Sequence, residues 1–286
     1  MKQDRPSNTA LVVAAGLQLA AAAAPIDALR LGEQLLRRLH PRLAGLLRMS
    51  WFRRLCMLVE GTTLPGICLH FALRKRLLRR HAHAALADGC SQVIVLGAGY
   101  DTLCMELKQA RPDLCCIEID HPATQAVKGG AAADTGTRFI ASDLAREELG
   151  LVLAAHPDFR ADASTLFIAE GLLMYMPLDA VRGLFARMAA AAPRSRVAFT
   201  WFEPLPDGRP GFRRPSRLID RWLRWRGEPF LSCMARAELA GFLSGAGFTL
   251  QCVNASSDLL AGVDVAARPI EGEYIALAST VVDSCA

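Results

Sequence analysis

The sequence lacks the patterns that identify common metal-binding and disulfide-bonded proteins. Its nine cysteines include no C-x-x-C pair, and Cys115 and Cys116 are adjacent in an apolar run typical of a buried strand. This spacing disfavours a zinc site and a disulfide framework, and it favours reduced thiols. We therefore predict a cytoplasmic protein that binds no metal.

The chain also lacks an apolar run long enough to cross a membrane. The strongest candidate, Thr9 to Ala24, follows Lys2 and Arg5 and resembles the core of a signal peptide. It contains Gln18, ends at Pro25 and has about 16 residues, against the roughly 20 that a transmembrane helix needs. We interpret it as a buried N-terminal helix and expect no membrane partner.

Neither low-complexity blocks nor a strong net charge is present, which argues against a largely disordered chain. Of the 286 residues, 52% are hydrophobic, and the net charge is +5. The chain can therefore form a sizeable core, in one large α/β domain or two small ones. Arginines concentrate in two runs, residues 74–80 and 209–226. Such runs are usually solvated helix faces, and because no recognition motif accompanies them we expect no nucleic-acid partner.

The hydrophobic pattern changes once along the chain. Residues 1–88 read as a helical N-terminal cap, with helix ends at Pro25, at Pro41 and in the Gly61–Gly66 segment. In residues 89–286, short apolar runs alternate with helical stretches, which is the pattern of β-α-β units around a parallel sheet. We expect an α/β core in this second region.

Seven strands and five helices are predicted in the core. An insertion rich in Pro, Gly and Arg, residues 203–230, follows the fifth strand. Five parallel strands with a reversed end would form a seven-stranded mixed sheet. The predicted strands are Gln92–Leu96, Cys115–Ile119, Arg138–Ile140, Thr165–Ala169, Arg196–Phe202, Phe248–Asn254 and Tyr274–Val282. The predicted helices are Asp101–Ala110, His121–Lys128, Ala145–Ala155, Leu178–Ala191 and Ala235–Ala246.

The first predicted strand ends abruptly in Gly97-Ala98-Gly99, with Asp101 two residues later. Ligands of open parallel sheets bind beyond the carboxyl ends of the strands, and glycines let the backbone approach a ligand without a Cβ. We assign these four residues to a cofactor site. Thr102 stands where a dinucleotide fingerprint has its third glycine, and no Walker motif follows. An NAD(P)-dependent oxidoreductase is therefore the disfavoured alternative.

Acidic residues end the second and third predicted strands. Glu118 and Asp120 lie about 20 residues beyond the glycines, where an acid can accept hydrogen bonds from ribose hydroxyls. Strand alternation puts both on one side, although one of them could instead cap the helix that starts at Pro122. Asp143 is placed to accept a hydrogen bond from the exocyclic amine of adenine, with Leu144 stacked against the ring. Alternatively, Asp143 caps the following helix. Together they predict an adenosine ligand.

Four segments together resemble the leucine carboxyl methyltransferase family, particularly its bacterial O-methyltransferase branch in secondary metabolism. They are VIVLGAGYDTL, IEIDHPATQAVK, ASDL and FIAEGLLMYMPLDAV, and the resemblance runs from about Ser7 to Phe248. It implies a class I, Rossmann-like methyltransferase fold that binds S-adenosylmethionine under a helical cap. It also implies that Gly97 lies beside the methionine part of this cofactor, that Asp120 holds the ribose, and that Asp143 and Leu144 contact the adenine.

The resemblance implies a charged pair at the amino-acid end of the cofactor. Arg74, in FALRKR, matches the arginine that binds its carboxylate, and Glu170, in AEGLLMY, matches the acid near its ammonium. A zwitterion suits such a pair, although Arg74 alone reads as one more solvated charge. The segment PSNTA has Asn8 where the family usually has a cation, and Leu103 replaces a frequent arginine. These departures put carboxyl specificity in doubt.

The acceptor is expected to be a small molecule, free or bound to a carrier. A carboxylate is already nucleophilic, whereas a phenol or alcohol needs a base, for which Tyr175, His121 and His70 are candidates. His121 could instead be structural, and Tyr175 could simply pack in the core. The arginine-rich insertion, with Trp222 and Trp225, is expected to cover the acceptor pocket and to attract an acidic partner. A non-catalytic binding module is the second alternative.

Overall fold

The computed structural model describes residues 6–21, 26–213, 217–263 and 265–280, without the side chains of residues 217 and 218. Two predicted element boundaries, Pro25 and Val282, lie outside the described residues. Among the described residues, no single helix is both long and apolar enough to span a membrane. Only the helix pair at 50–63 and 67–87 passes this test together, across a bend of 94°.

In the described residues, five helices precede the first strand. The pattern predicts a helical region here, and the break between Leu47 and Ser50 is additional to the predicted helix ends. The hydroxyl of Ser7 accepts a hydrogen bond from the Ala10 amide at 3.1 Å and so caps the first helix, and Pro41 occupies the first position of the third. The helices are α1 (Asn8–Leu19), α2 (Ile26–Leu39), α3 (Pro41–Leu47), α4 (Ser50–Thr63) and α5 (Ile67–Ala87).

The predicted seven-stranded mixed sheet is confirmed. Its order is β3-β2-β1-β4-β5-β7-β6, and β7 runs antiparallel to the other six strands. The edge strands are β3 and β6. The strands are β1 (Gln92–Leu96), β2 (Cys115–Asp120), β3 (Arg138–Ala141), β4 (Thr165–Ala169), β5 (Ser195–Phe202), β6 (Thr249–Asn254) and β7 (Glu273–Ser279).

The helices of the core agree with the pattern except at three places. The helix predicted to end at Lys128 continues to Ala132. The helix predicted from Ala145 begins only at Leu149, because the carbonyl of Asp143 accepts hydrogen bonds from the amides of Arg146 and Glu147 in a preceding turn. Inside the insertion, residues 217–226 form a helix; the arginine run predicts a helix face in this segment but gives no bounds for it. The helices are α6 (Leu103–Ala110), α7 (Pro122–Ala132), α8 (Leu149–Ala154), α9 (Leu178–Ala191), α10 (Arg217–Arg226) and α11 (Arg236–Ser244).

Helix α5 packs directly on the sheet. Alternate residues of β1 face opposite sides, so Val93 and Val95 join a cluster with Leu73 of α5, whereas Ile94 packs in the cluster that contains Phe185. Burial of these side chains fixes α5 across the face of β1, β4 and β5. The polar residues of α5 are thereby brought to the carboxyl ends of the strands.

Candidate active site

The turn after β1 is built around two glycines in the left-handed region. Gly97 has a φ of 65° and Gly99 a φ of 50°. A Cβ on Gly97 would lie 2.8 Å from Leu172, and one on Gly99 would lie 2.9 Å from Ala10 of α1. The Gly99 amide donates a hydrogen bond of 2.5 Å to the carboxylate of Asp120. Both the backbone conformation and the close approach of α1 therefore require glycine here.

A cavity of about 790 Å³ lies over this turn, beyond the carboxyl ends of β1 and β4. The strand order reverses between these two strands, and this is where open α/β sheets bind ligands. Helices α1, α2, α4, α5 and α10 supply much of the rest of the wall. Eight of the predicted site residues line the cavity: Arg74, Gly97, Ala98, Gly99, Asp101, Asp120, Glu170 and Tyr175.

The other predicted acid of β2, Glu118, does not reach the cavity. Its carboxylate is buried against the ammonium of Lys128, which also donates to the Asp101 carbonyl at 2.6 Å. Burial raises the pKa of Glu118, and the Lys128 cation offsets part of that rise. The structure thus corrects the pairing of Glu118 with Asp120 as ribose acceptors: only Asp120 faces the cavity, and Glu118 neutralises a buried lysine.

Three further predicted residues lie outside the cavity lining. Nδ1 of His121 accepts the Ala123 amide at 3.4 Å and caps α7, which disfavours the general-base hypothesis for this residue. The Asp143 carboxylate accepts a hydrogen bond from the Ala145 amide at 3.1 Å, which is the contact that the capping alternative predicts. Leu144 is buried in the core cluster of the opposite sheet face. Their contacts with an adenine or an acceptor stay predictions.

We call six residues with buried side chains the charged floor: Arg74, Lys75, Arg79, Asp101, Glu170 and Glu273. Five of them line the cavity, and Arg79 lies behind Asp101. The three cations are neighbours on one face of α5 and are each at most 5% exposed. The acids arrive from the ends of β1 and β4 and from the start of β7. Of these six, the sequence analysis identified Arg74, Asp101 and Glu170, because the basic run on α5 does not reveal which of its charges are buried.

The charged floor is closely paired. Arg74 donates to Glu170 at 2.9 Å and to Glu273 at 2.9 and 3.0 Å. Lys75 lies 2.9 Å from Asp101 and 3.2 Å from Glu170. Arg79 lies 3.2 Å from Asp101. Arg79 also lies 2.6 Å from Glu106 of α6. Arg74 and Lys75 therefore each bridge acids from distant parts of the chain, and the pairing offsets the cost of burying the charges.

These contacts determine the protonation of the acids. Burial opposes ionisation of Asp101, but the adjacent Lys75 and Arg79 cations outweigh it and hold its pKa well below the usual range. Burial likewise disfavours the charged form of Glu273, yet Arg74 and the hydrogen bond from His70 lower its pKa to about 2. Both carboxylates are consequently ionised at neutral pH.

Negative charge is in excess around the cavity. Among the described residues, its lining contains the two cations Arg74 and Lys75 and six acids: Glu60, Asp101, Asp120, Glu170, Glu228 and Glu273. Moreover, Oδ2 of Asp101 is buried without a hydrogen-bond partner. Such an acceptor costs about 1–3 kcal/mol unless a donor reaches it. The floor therefore fits a ligand with net positive charge and an N–H donor. The described residues include no cluster of three or more side chains able to hold a metal ion.

The opposite side of the cavity contains a carboxylate that the sequence analysis missed. Glu228, in the insertion, accepts hydrogen bonds from the amides of Asn8 and Thr9, both at 3.1 Å, and from the Thr9 hydroxyl. No pattern in the sequence links residue 228 to residue 9, since the contact forms between segments 219 residues apart.

Tyr175 is a neutral phenol in this setting. Burial raises the pKa of Tyr175 well above its ordinary value of 10, and the nearby Glu228 carboxylate adds to the rise. Its ring packs on Phe230, with centroids 5.4 Å apart. The interpretation of Tyr175 as the base itself is thus disfavoured, because its anion is not available at neutral pH.

Most of the remaining cavity surface is apolar. The apolar wall is formed by side chains from α1, α4, α5 and the insertion, among them Val13, Val59, Phe71, Phe212, Trp222 and Phe230. The insertion thus contributes to the cavity, as expected for a segment that covers a pocket. Trp225, by contrast, is 65% exposed and does not line it.

Comparison with known proteins agrees with this architecture. Residues 31–189 match the family model described as leucine carboxyl methyltransferase. A solved structure of a "putative methyltransferase" from Thermobifida fusca superposes with a TM-score of 0.55 at 16% identity, over 86% of this chain and 93% of that one. At this identity the likeness concerns the fold.

Two curated mycobacterial proteins also match. A "Putative S-adenosyl-L-methionine-dependent methyltransferase" of Mycobacterium ulcerans is 34% identical over 202 residues, which cover 65% of this chain and 66% of the relative. A protein of the same description from Mycobacterium marinum is 36% identical over 160 residues, which cover 54% of this chain and 52% of the relative. The alignments thus span between about half and two thirds of these relatives.

Proposed function

The chain belongs to the leucine carboxyl methyltransferase family, and on that premise we propose that it binds S-adenosylmethionine and methylates an oxygen of an acceptor. The acceptor would be a small molecule, either free or bound to a carrier. One observation carries the proposal: an ionised, buried carboxylate with an unpartnered oxygen, Asp101, lies in a cavity over the Gly97–Gly99 turn.

The chemistry of the floor suits this cofactor. S-adenosylmethionine has a sulfonium and an ammonium against one carboxylate, so its net charge is positive, and the lining has an excess of acids. Asp101 and Glu170 would receive the ammonium, and Arg74 with Lys75 would provide the cations for the carboxylate. Asp120 would accept the ribose hydroxyls, because its carboxylate faces the cavity next to Gly99.

The chain's own residues would promote transfer by positioning and by excluding water. When bound, the cofactor supplies a methyl group on a sulfonium that is open to in-line displacement. Glu228 holds the start of α1 against the cavity, and Ala10 of α1 covers Gly99. The apolar wall leaves few polar groups to retain water around the acceptor. Orientation alone can lower such a barrier by about 7–11 kcal/mol.

Two observations disfavour the alternative of a nicotinamide-dependent oxidoreductase. Thr102 replaces the third glycine of the dinucleotide fingerprint, and β7 is antiparallel within the sheet. Calorimetry with S-adenosylmethionine, its demethylated product and NADH tests the proposal, and we expect heat with the first two ligands. Binding of NADH alone would refute it.

Transfer is tested separately with a radiolabelled methyl group and a panel of carboxylic acids, phenols and alcohols. Cofactor binding with no transfer to any acceptor would instead support the non-catalytic module. For a carrier-bound acceptor, we expect the rate to fall as salt increases, because the exposed arginines of the insertion would attract an acidic carrier. A free neutral acceptor should show no such fall.

A further inference from the structure

We infer that the protein docks on the surface of an anionic lipid bilayer through α4. The inference goes beyond the proposed methyl transfer and does not depend on it. The expectation of no membrane partner rested on the lack of a spanning run, which a helix lying on a bilayer does not need. The docking face consists of five apolar side chains of α4 and two arginines beside them: Trp51, Leu55, Met57, Leu58, Val59, Arg48 and Arg54.

Helix α4 presents large apolar side chains to solvent. None of its residues is buried, and the five apolar side chains of the docking face are between 41% and 66% exposed. Trp51, Leu55 and Leu58 follow the i, i+4, i+7 spacing of one helical face, so they form a continuous stripe. Core packing does not explain such side chains, and exposed apolar patches of this kind mark interaction surfaces.

The charges that accompany α4 are mainly positive. Between Glu33 and Glu60 the sequence contains six arginines and no acid. The carboxylate of Glu60 accepts two amides at the start of α5, at 3.0 and 3.3 Å, and pairs with no arginine among the described residues. Two of the six arginines, Arg37 and Arg38, form ion pairs. The other four form no ion pair with a described residue: Arg42, Arg48, Arg53 and Arg54.

This charge pattern selects the partner of the docking face. In a two-fold dimer the face would meet itself, so the arginines of one protomer would approach those of the other. Anionic headgroups would instead pair with the arginines, while the apolar stripe enters the boundary between headgroups and acyl chains. Tryptophan and aliphatic side chains flanked by arginines are typical of helices that lie on bilayers. The docking face therefore fits an anionic bilayer better than a second copy of the chain.

The docking face also borders the cavity. Leu55 and Val59 belong to the face and line the cavity as well, and both are about half exposed. Apolar surface is therefore continuous from the outside of α4 to the apolar wall. One consequence rests on the proposed function: an acceptor dissolved in the bilayer would reach the cavity along this surface without crossing water.

The experiment measures co-sedimentation of the full chain, without cofactor, with phosphatidylcholine vesicles that contain or lack phosphatidylglycerol. We expect binding to the anionic vesicles, weaker at high salt, and little binding to phosphatidylcholine alone. Arg48→Gln and Arg54→Gln should each weaken binding about fivefold, which corresponds to about 1 kcal/mol for an arginine near the bilayer. Leu58→Ser should weaken it about tenfold, because a leucine no longer enters the lipid.

Two matched controls lie elsewhere on the molecule. Leu151→Ser changes a leucine of α8 that is 72% exposed, on the sheet face opposite α5. Arg111→Gln changes an exposed arginine that follows α6 and precedes β2, at the end of the sheet away from the cavity. Neither substitution should change vesicle binding. Circular dichroism should show that all variants are folded. Leu58→Ser should also keep the wild-type affinity for S-adenosylmethionine, because Leu58 does not line the cavity.

Three outcomes would overturn the inference. Absence of binding to phosphatidylglycerol vesicles at low salt refutes docking. In that case a dimer that Leu58→Ser dissociates in analytical ultracentrifugation would assign the face to a second copy, and a monomer would leave it to a protein partner. Binding that Leu58→Ser and Arg54→Gln leave unchanged would place the lipid contact elsewhere. Equal binding with and without phosphatidylglycerol would remove the argument from charge.

The vesicle assay and the cofactor assay fail independently. Vesicle binding is measured without S-adenosylmethionine, so its absence refutes docking and leaves the proposed methyl transfer standing. Absence of S-adenosylmethionine binding in the wild-type protein would refute the proposed function and leave docking standing.

Discussion

The two sides of the cavity are built in different ways. The charged floor rests on α5 and on the ends of buried strands, and its contacts are ion pairs between side chains at most 7% exposed. The opposite side is assembled from α1, α4 and the insertion, and it combines the apolar wall with hydrogen bonds that the start of α1 donates to Glu228. In the proposed function, the charged floor holds the cofactor and the apolar wall shapes the acceptor site. Under that proposal, cofactor binding and acceptor choice can be altered separately.

Removing a charge from the floor should have the largest effect. Arg74→Met leaves Glu170 and Glu273 buried without their guanidinium partner, and breaking a buried pair in this way costs about 3–5 kcal/mol. Urea unfolding should show this loss, and calorimetry should show weak or no cofactor binding. Arg76→Met is the matched control, because Arg76 is the exposed neighbour on the same helix. Equal stability of the two variants would contradict the role given to the floor.

Acid should weaken the floor in a defined pH window. The pKa of Glu273 falls from its ordinary 4.5 to about 2 in the folded chain, so its ionisation stabilises the folded state above about pH 4.5. This contribution is lost as the pH drops from about 4.5 to about 2. We expect the stability difference between wild type and Glu273→Gln to shrink across that window in unfolding titrations. A constant difference would show that Glu273 is not held ionised by Arg74 and His70.

A methyl group at the glycine turn should have a moderate effect on the same side of the cavity. Gly97→Ala places a side chain at positive φ, which costs about 1–2 kcal/mol, and its Cβ would press on Leu172. We expect lower stability and weaker cofactor binding by calorimetry. Gly130→Ala in α7 is the control, since nothing lies within 4 Å of its Cβ, and it should stabilise the protein slightly. Unchanged binding by Gly97→Ala would separate the turn from the cofactor site.

Shortening a side chain of the apolar wall should have the smallest effect on cofactor binding at the charged floor. Trp222→Ala removes a cavity-lining ring, so the KM for an apolar acceptor should rise about tenfold, as expected from the loss of roughly 1.5 kcal/mol of contact. Cofactor affinity should not change. Trp225→Ala, at an exposed tryptophan outside the lining, should leave both values unchanged. A matching loss of cofactor affinity in Trp222→Ala would mean that the two sides are not separable.

Local patterns predicted most of the fold. β1 and β4 have the predicted bounds, and most other strands agree within one or two residues, because buried parallel strands read as short apolar runs. The helix expected from Ala145 was too long, since a turn at Asp143 competes with the helix. Motif spacing also brought Asp101, Asp120 and Glu170 to one cavity, because the ends of parallel strands meet at one edge of the sheet.

Other site residues could not be predicted because their partners are distant in the chain. Lys75 and Arg79 belong to a basic run in which only burial distinguishes paired from solvated charges, and Glu273 meets Arg74 across 199 residues. Glu118 shows the converse case, a predicted site residue that does not reach the cavity. Strand alternation correctly places Glu118 on the same side as Asp120, but its carboxylate forms an ion pair with Lys128 of the next helix.

The sequence by itself determined the α/β class, the seven strands, the glycine turn and the family of this protein, since each depends on residues that are close together in the chain. Only the tertiary structure decided which charges are buried, which acids face the cavity, and that Glu228 meets Asn8 and Thr9. The physical reason is that strand and turn signals are local, whereas the state of a charge or a hydroxyl is set by its neighbours in space, and folding brings those neighbours from both ends of the chain.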